Sequence, residues 1–222
     1  KINLMNSANK PTVMSAVLLA AGESVRMLKQ KALLPWNGTT LIESQVLSLL
    51  AAGVTEIVVV LGYRAKILNN LVDGLPNVKT VRNPRYRTGK SSSVKTGLRH
   101  IDPKADGILI LAVDQPRSVS TIRPIIDVYR KSGTPIVYPS HKGKGGHPII
   151  FSTCLLPEML RISESTMGLR GVVERHKSEV TKFEMNTAEI LLDLNLPEDY
   201  ERAKAAYQNP HEIGIGINEC LT

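Results

Sequence analysis

The chain alternates apolar runs of strand length with amphipathic stretches of helix length. Residues 13–20, 56–61, 78–82, 107–113 and 135–138 are predicted as strands, and residues 41–52, 65–72, 91–101 and 118–131 are predicted as helices between them. Two runs, 57–61 and 108–113, are continuously apolar, which is typical of strands buried on both faces. We therefore predict an α/β fold: a Rossmann-like three-layer αβα sandwich with a mostly parallel sheet.

Beyond residue 139 the alternation is less regular. We predict strands at 147–151 and 190–194, helices near 155–162, 169–177 and 197–207, and a further short element at 180–184. No linker, internal repeat or low-complexity block interrupts this pattern. The prediction is one domain, residues 13–207, with a polar N-terminal tail at 1–12 and a C-terminal extension at 208–222 that could dock a partner.

The composition is that of a soluble globular chain. Of its 222 residues 42% are hydrophobic and 22% are charged, and this balance excludes disordered and fibrous classes. Cys154 and Cys220 lie far apart and form no metal-type pair, and the sequence shows neither an apolar leader nor a membrane-spanning segment. We therefore expect a cytoplasmic protein without a membrane partner.

The formal net charge of +8 predicts a surface that attracts anions, whether small phosphorylated ligands, nucleic acid or an anionic membrane face. A merely basic, solvated surface is the alternative. Arg82, Arg85, Arg87 and Lys90 form the most basic stretch, but aromatic residues make up only 4% of the chain. Nucleic-acid binding, which uses aromatic residues interleaved with cations, is therefore the least favoured of these functions.

The segment after the first predicted strand combines small residues with two cations. Residues 19–22, Leu-Ala-Ala-Gly, would let backbone N–H groups approach an anion at the carboxyl edge of the sheet, where open α/β sheets bind ligands. A nearby helical turn would aim its positive end at the same place. Arg26 supplies a forked contact and Lys31 a point contact to phosphate, so the segment predicts a polyphosphate site. A tight turn with two solvated cations is the structural alternative.

Oxygen donors follow two later predicted strands. Asp114 comes at the end of the fourth predicted strand, and Pro116 forces a turn soon after it. Asp193 and Asn195 stand at the end of the last predicted strand, where alternation puts both on one face. Carboxylate and amide oxygens suit Mg²⁺ held together with substrate phosphates, so either residue could share a metal with Asp114. Helix capping is the alternative for Asp114.

Two polar loops could contact substrates. Residues 83–93 are rich in hydrogen-bond donors and lead into a predicted helix, so they suit a base edge or a phosphate, while helix capping explains the serines at 91–93 equally well. Residues 143–148, Gly-Lys-Gly-Gly-His-Pro, could wrap a second, acceptor substrate. The sequence shows no zinc spacing, no nucleophilic triad and no Walker-type or Gly-x-Gly-x-x-Gly phosphate loop.

Together these segments resemble the MobA-like nucleotidyltransferases, in the order in which that family has them. The resemblance spans residues 15–207, and the motifs that carry it are Leu19-Ala20-Ala21-Gly22 with Arg26-Met27 and Lys31, Asn83 with Gly89 and Ser93, Asp114-Gln115-Pro116, Gly146-His147-Pro148, and Asn195 with Pro197-Glu198-Asp199-Tyr200. Within the family, Leu-Ala-Ala-Gly, Asp-Gln-Pro and Gly-His-Pro are more similar to the molybdenum cofactor cytidylyltransferase branch than to the guanylyltransferase branch.

The resemblance implies a fold of the nucleotide-diphospho-sugar transferase type and a site for a magnesium-bound nucleotide. The implied residues are the backbone of Leu19, Ala20, Ala21 and Gly22 for base and ribose, Arg26 and Lys31 for the triphosphate, Asp114 for Mg²⁺ with Asn195 as second ligand, Asn83, Gly89 and Ser93 for positioning the nucleotide, and Gly146 and His147 for the acceptor. Arg26, Lys31 and Asp114 would be the catalytic groups, since Arg26, Lys31 and the Mg²⁺ held by Asp114 neutralise phosphate charge.

The implied reaction transfers CMP from CTP to the terminal phosphate of a molybdopterin-type pterin cofactor, with release of pyrophosphate, and docking to a molybdoenzyme would follow. The alternatives are the same chemistry on another phosphorylated acceptor, GTP-dependent or with a sugar phosphate, and a non-catalytic nucleotide-binding accessory protein. The chain departs from the family pattern at Leu28 for Gly, Gln30 for Pro, Lys90 for Met and Asn195 for Asp. These departures leave the substrates less well defined than the type of reaction.

Overall fold

The chain is described by a computed structural model over residues 12–24, 27 and 29–207. Ten strands occur in this part: β1 Met14–Ala20, β2 Pro35–Trp36, β3 Thr39–Thr40, β4 Glu56–Leu61, β5 Val78–Arg82, β6 Gly107–Ala112, β7 Ile136–His141, β8 Lys144–Gly145, β9 Ile149–Ser152 and β10 Val180–Glu184. Seven α-helices occur in the same residues: α1 Leu41–Ala51, α2 Ala65–Val72, α3 Lys90–Leu98, α4 Val119–Ser132, α5 Leu156–Met159, α6 Gly168–Arg175 and α7 Pro197–Tyr207.

Several sequence predictions fall outside the described residues. These are the phosphate contact Arg26, the departure Leu28, Cys220, the C-terminal extension and all of the N-terminal tail except Thr12. Over the described ranges, none of the helices has both the length and the apolar character that crossing a bilayer requires.

The main sheet is mixed and mostly parallel, with the strand order β10-β7-β9-β6-β1-β4-β5. β1 lies between β6 and β4 and is parallel to both, β5 is parallel to β4, and β10 is parallel to β7. β9 runs antiparallel to β6 and β7, because the short strand β8 turns the chain back against the end of β7. The predicted mostly parallel sheet is confirmed, with β9 as the reversed strand within it.

Helices cover both faces of the sheet, each face over its own apolar core. In β1, Ala16 and Leu18 belong to the core under α1, α2, α4 and α7, while Val17 and Leu19 belong to the core under α3, α5 and α6. Every residue of β1 and β6 is buried, which explains why their sequences are nearly continuous apolar runs. The structure is therefore the three-layer αβα sandwich that the alternation predicts.

The element bounds predicted at 56–61, 65–72, 78–82, 180–184 and 197–207 are confirmed, but the last predicted strand, 190–194, is wrong. This segment begins inside a 3-10 turn, Ala188–Leu191, and continues as irregular chain. Ile190 and Leu194 are fully buried. The apolar pattern of this segment therefore arises from packing in the core and not from pairing in a sheet. Because no strand forms, the alternation argument that placed Asp193 and Asn195 on one face does not apply.

Helix α3 lies directly on the sheet because Gly97 carries no side chain. A Cβ atom at this position would lie 2.4 Å from Val17 Cγ1 on β1 and 2.9 Å from Val60 Cγ2 on β4. Both distances are shorter than carbon atoms tolerate, so a larger residue must move the helix or the two valines. Gly97 therefore fixes the height of α3 above the sheet.

Gly97→Val should lower the free energy of unfolding by about 1–3 kcal/mol, because the added methyl groups overpack the contact between α3 and the sheet. Lys95→Val places the same residue at a half-exposed position of the same helix and should cost only about 0.5 kcal/mol through helix propensity. Urea unfolding measures both variants, and equal losses would contradict the packing argument.

Candidate active site

An open crevice of about 420 Å³ lies at the carboxyl ends of β1 and β6. The two strands are parallel neighbours, so the residues that follow them leave the sheet side by side. Ligands of open α/β sheets bind at this edge. The predicted site residues that line the crevice are Leu19, Ala20, Ala21, Gly22, Lys31, Gly89, Ser93, Asp114 and Asn195. Most of the implied nucleotide and metal positions therefore share one cavity.

Lys31 connects the two predicted oxygen donors. Its Nζ atom donates to Asp114 Oδ2 at 2.8 Å and to Asn195 Oδ1 at 3.3 Å. The side chain of Lys31 is 10% exposed and that of Asp114 is 28% exposed, so water screens this ion pair only in part. One cation therefore contacts the end of β6 and the irregular chain before α7 from the segment that follows β1.

Local hydrogen bonds fix the backbone on both sides of this contact. Lys31 begins the 3-10 turn Lys31–Leu33, and its backbone N–H donates to Ser24 Oγ at 3.1 Å. Asp199, in the first turn of α7, accepts from the backbone N–H of Asn195 at 3.2 Å through Oδ2. Asp199 thus serves the positive end of α7, as its predicted place in the first turn suggests, and it also holds the metal-ligand candidate.

The oxygen pair suits a hard cation. A carboxylate oxygen and an amide oxygen already converge on the ammonium group of Lys31, so a positive charge fits between Asp114 and Asn195. Mg²⁺ is commonly held by one or two such groups together with substrate phosphates and water. No group of three His, Cys, Asp or Glu side chains is placed to hold a metal within the described ranges. A cation between these oxygens would therefore need further ligands from a bound phosphate.

The loop after β5 forms one wall of the crevice. Gly89, Lys90 and Ser93 line the cavity, whereas Asn83, predicted to position the nucleotide, does not. The side-chain amide of Asn83 is buried and hydrogen-bonded within the protein. Its Nδ2 atom donates to Ser92 Oγ and Ser93 Oγ at 2.9 Å each, and its Oδ1 atom accepts from the backbone N–H of Arg85 at 3.0 Å. Asn83 therefore shapes this wall from behind, through the serines at the start of α3.

Gly89 makes room for a carboxylate at the N-terminus of α3. Glu164 Oε1 accepts from the backbone N–H of Ser91 at 2.6 Å, and a Cβ atom on Gly89 would lie 2.5 Å from the same oxygen. The φ angle of Gly89 is +120°, which residues with a side chain rarely adopt. The crevice wall at this point depends on glycine, and Glu164 caps the helix.

Glu23, which no sequence pattern singles out, ties the two walls of the crevice together. Its Oε1 atom accepts from Tyr86 Oη at 2.9 Å and from Arg87 Nε at 2.6 Å. The hydrogen bond from Arg87, followed by that from Tyr86, holds the pKa of Glu23 below its ordinary value. The side chain of Arg87 is 75% exposed, so the pair adds little stability, but it joins the turn after β1 to the loop after β5.

The predicted acceptor residues Gly146 and His147 lie beside the crevice and do not line it. A Cβ atom on Gly146 would lie 2.4 Å from Ile190 O, so only glycine fits against this backbone. Burial lowers the pKa of His147 to about 4, and the positive charges of Lys90 and Arg117 act in the same direction. His147 is therefore uncharged at neutral pH.

Arg117 is a buried charged residue next to the crevice, whereas Asp193 is exposed. Partial desolvation raises the pKa of Asp193, the alternative metal ligand, but it is Asn195 that contacts Lys31. Burial lowers the pKa of Arg117 to about 10, so it remains charged at neutral pH. Sequence reasoning missed Arg117, because an arginine directly after Pro116 has no periodicity or motif spacing that distinguishes it from a solvated cation.

Known proteins share both the sequence and the fold of this chain. The family model described as "MobA-like NTP transferase domain" matches residues 16–180. The molybdenum cofactor cytidylyltransferase of Escherichia coli K12 is 29% identical over 197 residues, covering 88% of this chain and 98% of that protein. Nicotine blue oxidoreductase of Paenarthrobacter nicotinovorans is 31% identical over 173 residues, covering 75% and 83%.

Crystal structures of Rv0371c from Mycobacterium tuberculosis H37Rv are similar at 28% identity. One has a TM-score of 0.75 and covers 87% of this chain and 98% of that one. A complex of Rv0371c with manganese has a TM-score of 0.67 and covers 86% and 97%. The predicted fold of the nucleotide-diphospho-sugar transferase type is confirmed.

Proton NMR titration should show His147 and His176 shifted in opposite directions. Burial lowers the pKa of His147 to about 4, while hydrogen bonds to Glu179 and Glu158 raise that of His176. Between pH 6.5 and about pH 4, His147 binds a proton in the unfolded chain and stays unprotonated in the folded chain. The free energy of unfolding therefore falls as the pH falls through this range. His147→Gln should remove this part of the loss in urea unfolding, and His176→Gln should not; a His147 pKa near 6.5 would contradict its burial.

Proposed function

The chain belongs to the MobA-like NTP transferase family and is a nucleotidyltransferase, and we propose that it moves CMP from CTP onto the terminal phosphate of a molybdopterin-type cofactor. The observation that carries this proposal is Lys31 held between Asp114 and Asn195 inside the crevice, since that arrangement suits a cation-bound triphosphate. The Leu-Ala-Ala-Gly and Asp-Gln-Pro motifs support CTP, and so does the similarity to the cytidylyltransferase of E. coli.

In the proposed reaction an oxygen atom of the acceptor phosphate attacks the α-phosphorus of CTP. A bond forms between them, the bond from the α-phosphorus to its bridging oxygen breaks, and pyrophosphate leaves with the electron pair. Phosphate monoesters already carry negative charge at neutral pH, so the nucleophile needs no general base. The proposed reaction therefore assigns no proton transfer to the uncharged His147, which we place on the acceptor side of the crevice.

The side chains contribute alignment and neutralisation of charge. When the cation and the nucleotide bind, Lys31 would exchange its contacts with Asp114 and Asn195 for a point contact to the triphosphate. Arg26, proposed from the sequence, would give the triphosphate a forked contact. Asp114 and Asn195 would hold Mg²⁺, which when bound neutralises charge on the α-phosphate and on the leaving pyrophosphate. The manganese complex of Rv0371c supports a divalent cation here.

Release of pyrophosphate from CTP, GTP, ATP and UTP, with and without a purified molybdopterin acceptor, tests the substrates. We expect release from CTP, and only with the acceptor present, because the acceptor phosphate is the nucleophile. A preference for GTP would assign the chain to the guanylyltransferase branch, and turnover with a sugar phosphate alone would replace the acceptor. Nucleotide binding without any turnover would contradict the enzymatic proposal and favour an accessory protein.

Asp114→Asn should lower kcat by at least about 100-fold, the usual effect of removing one electrostatic group that acts on the transition state. Asp127→Asn is the matched control, because Asp127 is an exposed carboxylate on α4 paired with Arg130, away from the crevice. Circular dichroism should show both variants folded. Near-normal pyrophosphate release from Asp114→Asn would remove Asp114 from the proposed cation site.

A further inference from the structure

Arg117 is a buried cation for which the proposed reaction has no use. The residue is 3% exposed, and within the described ranges it forms no ion pair. An unpaired charge inside a protein is costly unless hydrogen bonds satisfy it. The guanidinium of Arg117 meets this condition by donating to backbone carbonyls.

These carbonyls belong to three separate segments. Arg117 Nε donates to His147 O at 2.9 Å, and Nη1 donates to Pro116 O at 2.7 Å and to Leu192 O at 3.0 Å. Nη2 donates to Ile190 O at 2.8 Å and to Leu192 O at 3.1 Å. Since the chain around Ile190 and Leu192 is not a strand, Arg117 supplies hydrogen bonds that a neighbouring strand would otherwise supply.

Two of the joined segments carry the oxygen donors of the crevice. Asp114 lies three residues before Arg117, and Asn195 lies three residues after Leu192. The segments also meet directly, since Leu194 N donates to Asp114 O at 2.9 Å. The guanidinium of Arg117 therefore bonds to both of the segments that carry the oxygen donors.

We propose that Arg117 is a positioning residue that sets the separation of the Asp114 and Asn195 oxygens, and thereby the affinity of the crevice for a divalent cation. The inference rests on the proposed function in one respect, namely that this oxygen pair holds the cation. Arginine suits the task because its planar fork donates in fixed directions, which a single ammonium group cannot do. Groups that orient metal ligands from behind typically change metal affinity about 10- to 100-fold when they are replaced.

The test is the affinity of the full chain for Mn²⁺ in the presence of CTP, measured by electron paramagnetic resonance without any acceptor or turnover. We expect Arg117→Lys to weaken Mn²⁺ binding about 10- to 100-fold. If the Arg117→Lys variant does not fold, the same measurement is made on Arg117→Gln, which keeps planar N–H donors without a buried charge. Arg123→Lys is the matched control, since Arg123, on the nearby helix α4, also donates to a backbone carbonyl, but it is exposed.

A second control separates positioning from loss of stability. Ile126→Ala removes a buried side chain from α4, the helix that follows Arg117, and should lower the melting temperature without changing the affinity for Mn²⁺. Mn²⁺ binding by the Arg117 variants equal to the wild type would overturn the inference, and so would an equal loss in Ile126→Ala. Weaker Mn²⁺ binding in the Arg117 variants alone would support it even if the acceptor proved to be a different phosphorylated molecule, because no acceptor is present and no transfer reaction is measured.

Discussion

Three segments that are remote in sequence meet on the ammonium group of Lys31. Asp114 is 83 residues and Asn195 is 164 residues away along the chain, yet both place an oxygen atom within hydrogen-bond distance of the same nitrogen. Such a meeting exists only if each backbone is held independently of the ion pair, since an ammonium group on a flexible stem does not impose a geometry. The remaining structure can be understood as the means of holding these three backbones.

The sheet holds two of these backbone segments, and side-chain hydrogen bonds hold the third. β1 and β6 are adjacent and parallel, so the turn that leads to Lys31 and the residue Asp114 leave the same edge. The third segment has no strand to align it, and it is held by the capping carboxylate of Asp199 and by the guanidinium of Arg117. Glu23 adds a link across the cavity between the loops that follow β1 and β5.

The sequence predicts the strands correctly where a single cause, burial of both faces of a strand, produces the apolar pattern. Continuous apolar runs appear where strands are buried on both faces, and they predicted β4 and β6 and, at the end of β6, the oxygen donor Asp114. The same signal failed at residues 190–194, because Ile190 and Leu194 are buried for packing, and burial alone does not distinguish a strand from irregular chain. Asn195 nevertheless lines the crevice, and its assignment as a metal ligand, which rested on the family motif, stays a prediction.

The residues that escaped prediction act through partners far away in sequence. Arg117 bonds to carbonyls about 30 and 75 residues away, and Glu23 to side chains about 63 residues away, so neither has a local spacing from which a role could be inferred. Asn83 shows the opposite difficulty, because a polar residue at a loop start predicts a ligand contact, and the structure uses both ends of its amide internally. Hydrogen-bond saturation of this kind becomes visible only in three dimensions.

The carboxylate of Glu164 at the start of α3 limits how the crevice can attract a phosphate. A free helix N-terminus offers roughly half a positive charge to an incoming anion, but here the backbone N–H of Ser91 is already occupied by a charge of the chain's own. The positive end of the α3 dipole is thus partly neutralised by the carboxylate of Glu164. Attraction of a nucleotide therefore depends more on the cationic side chains that line the crevice, Lys31, Arg87 and Lys90.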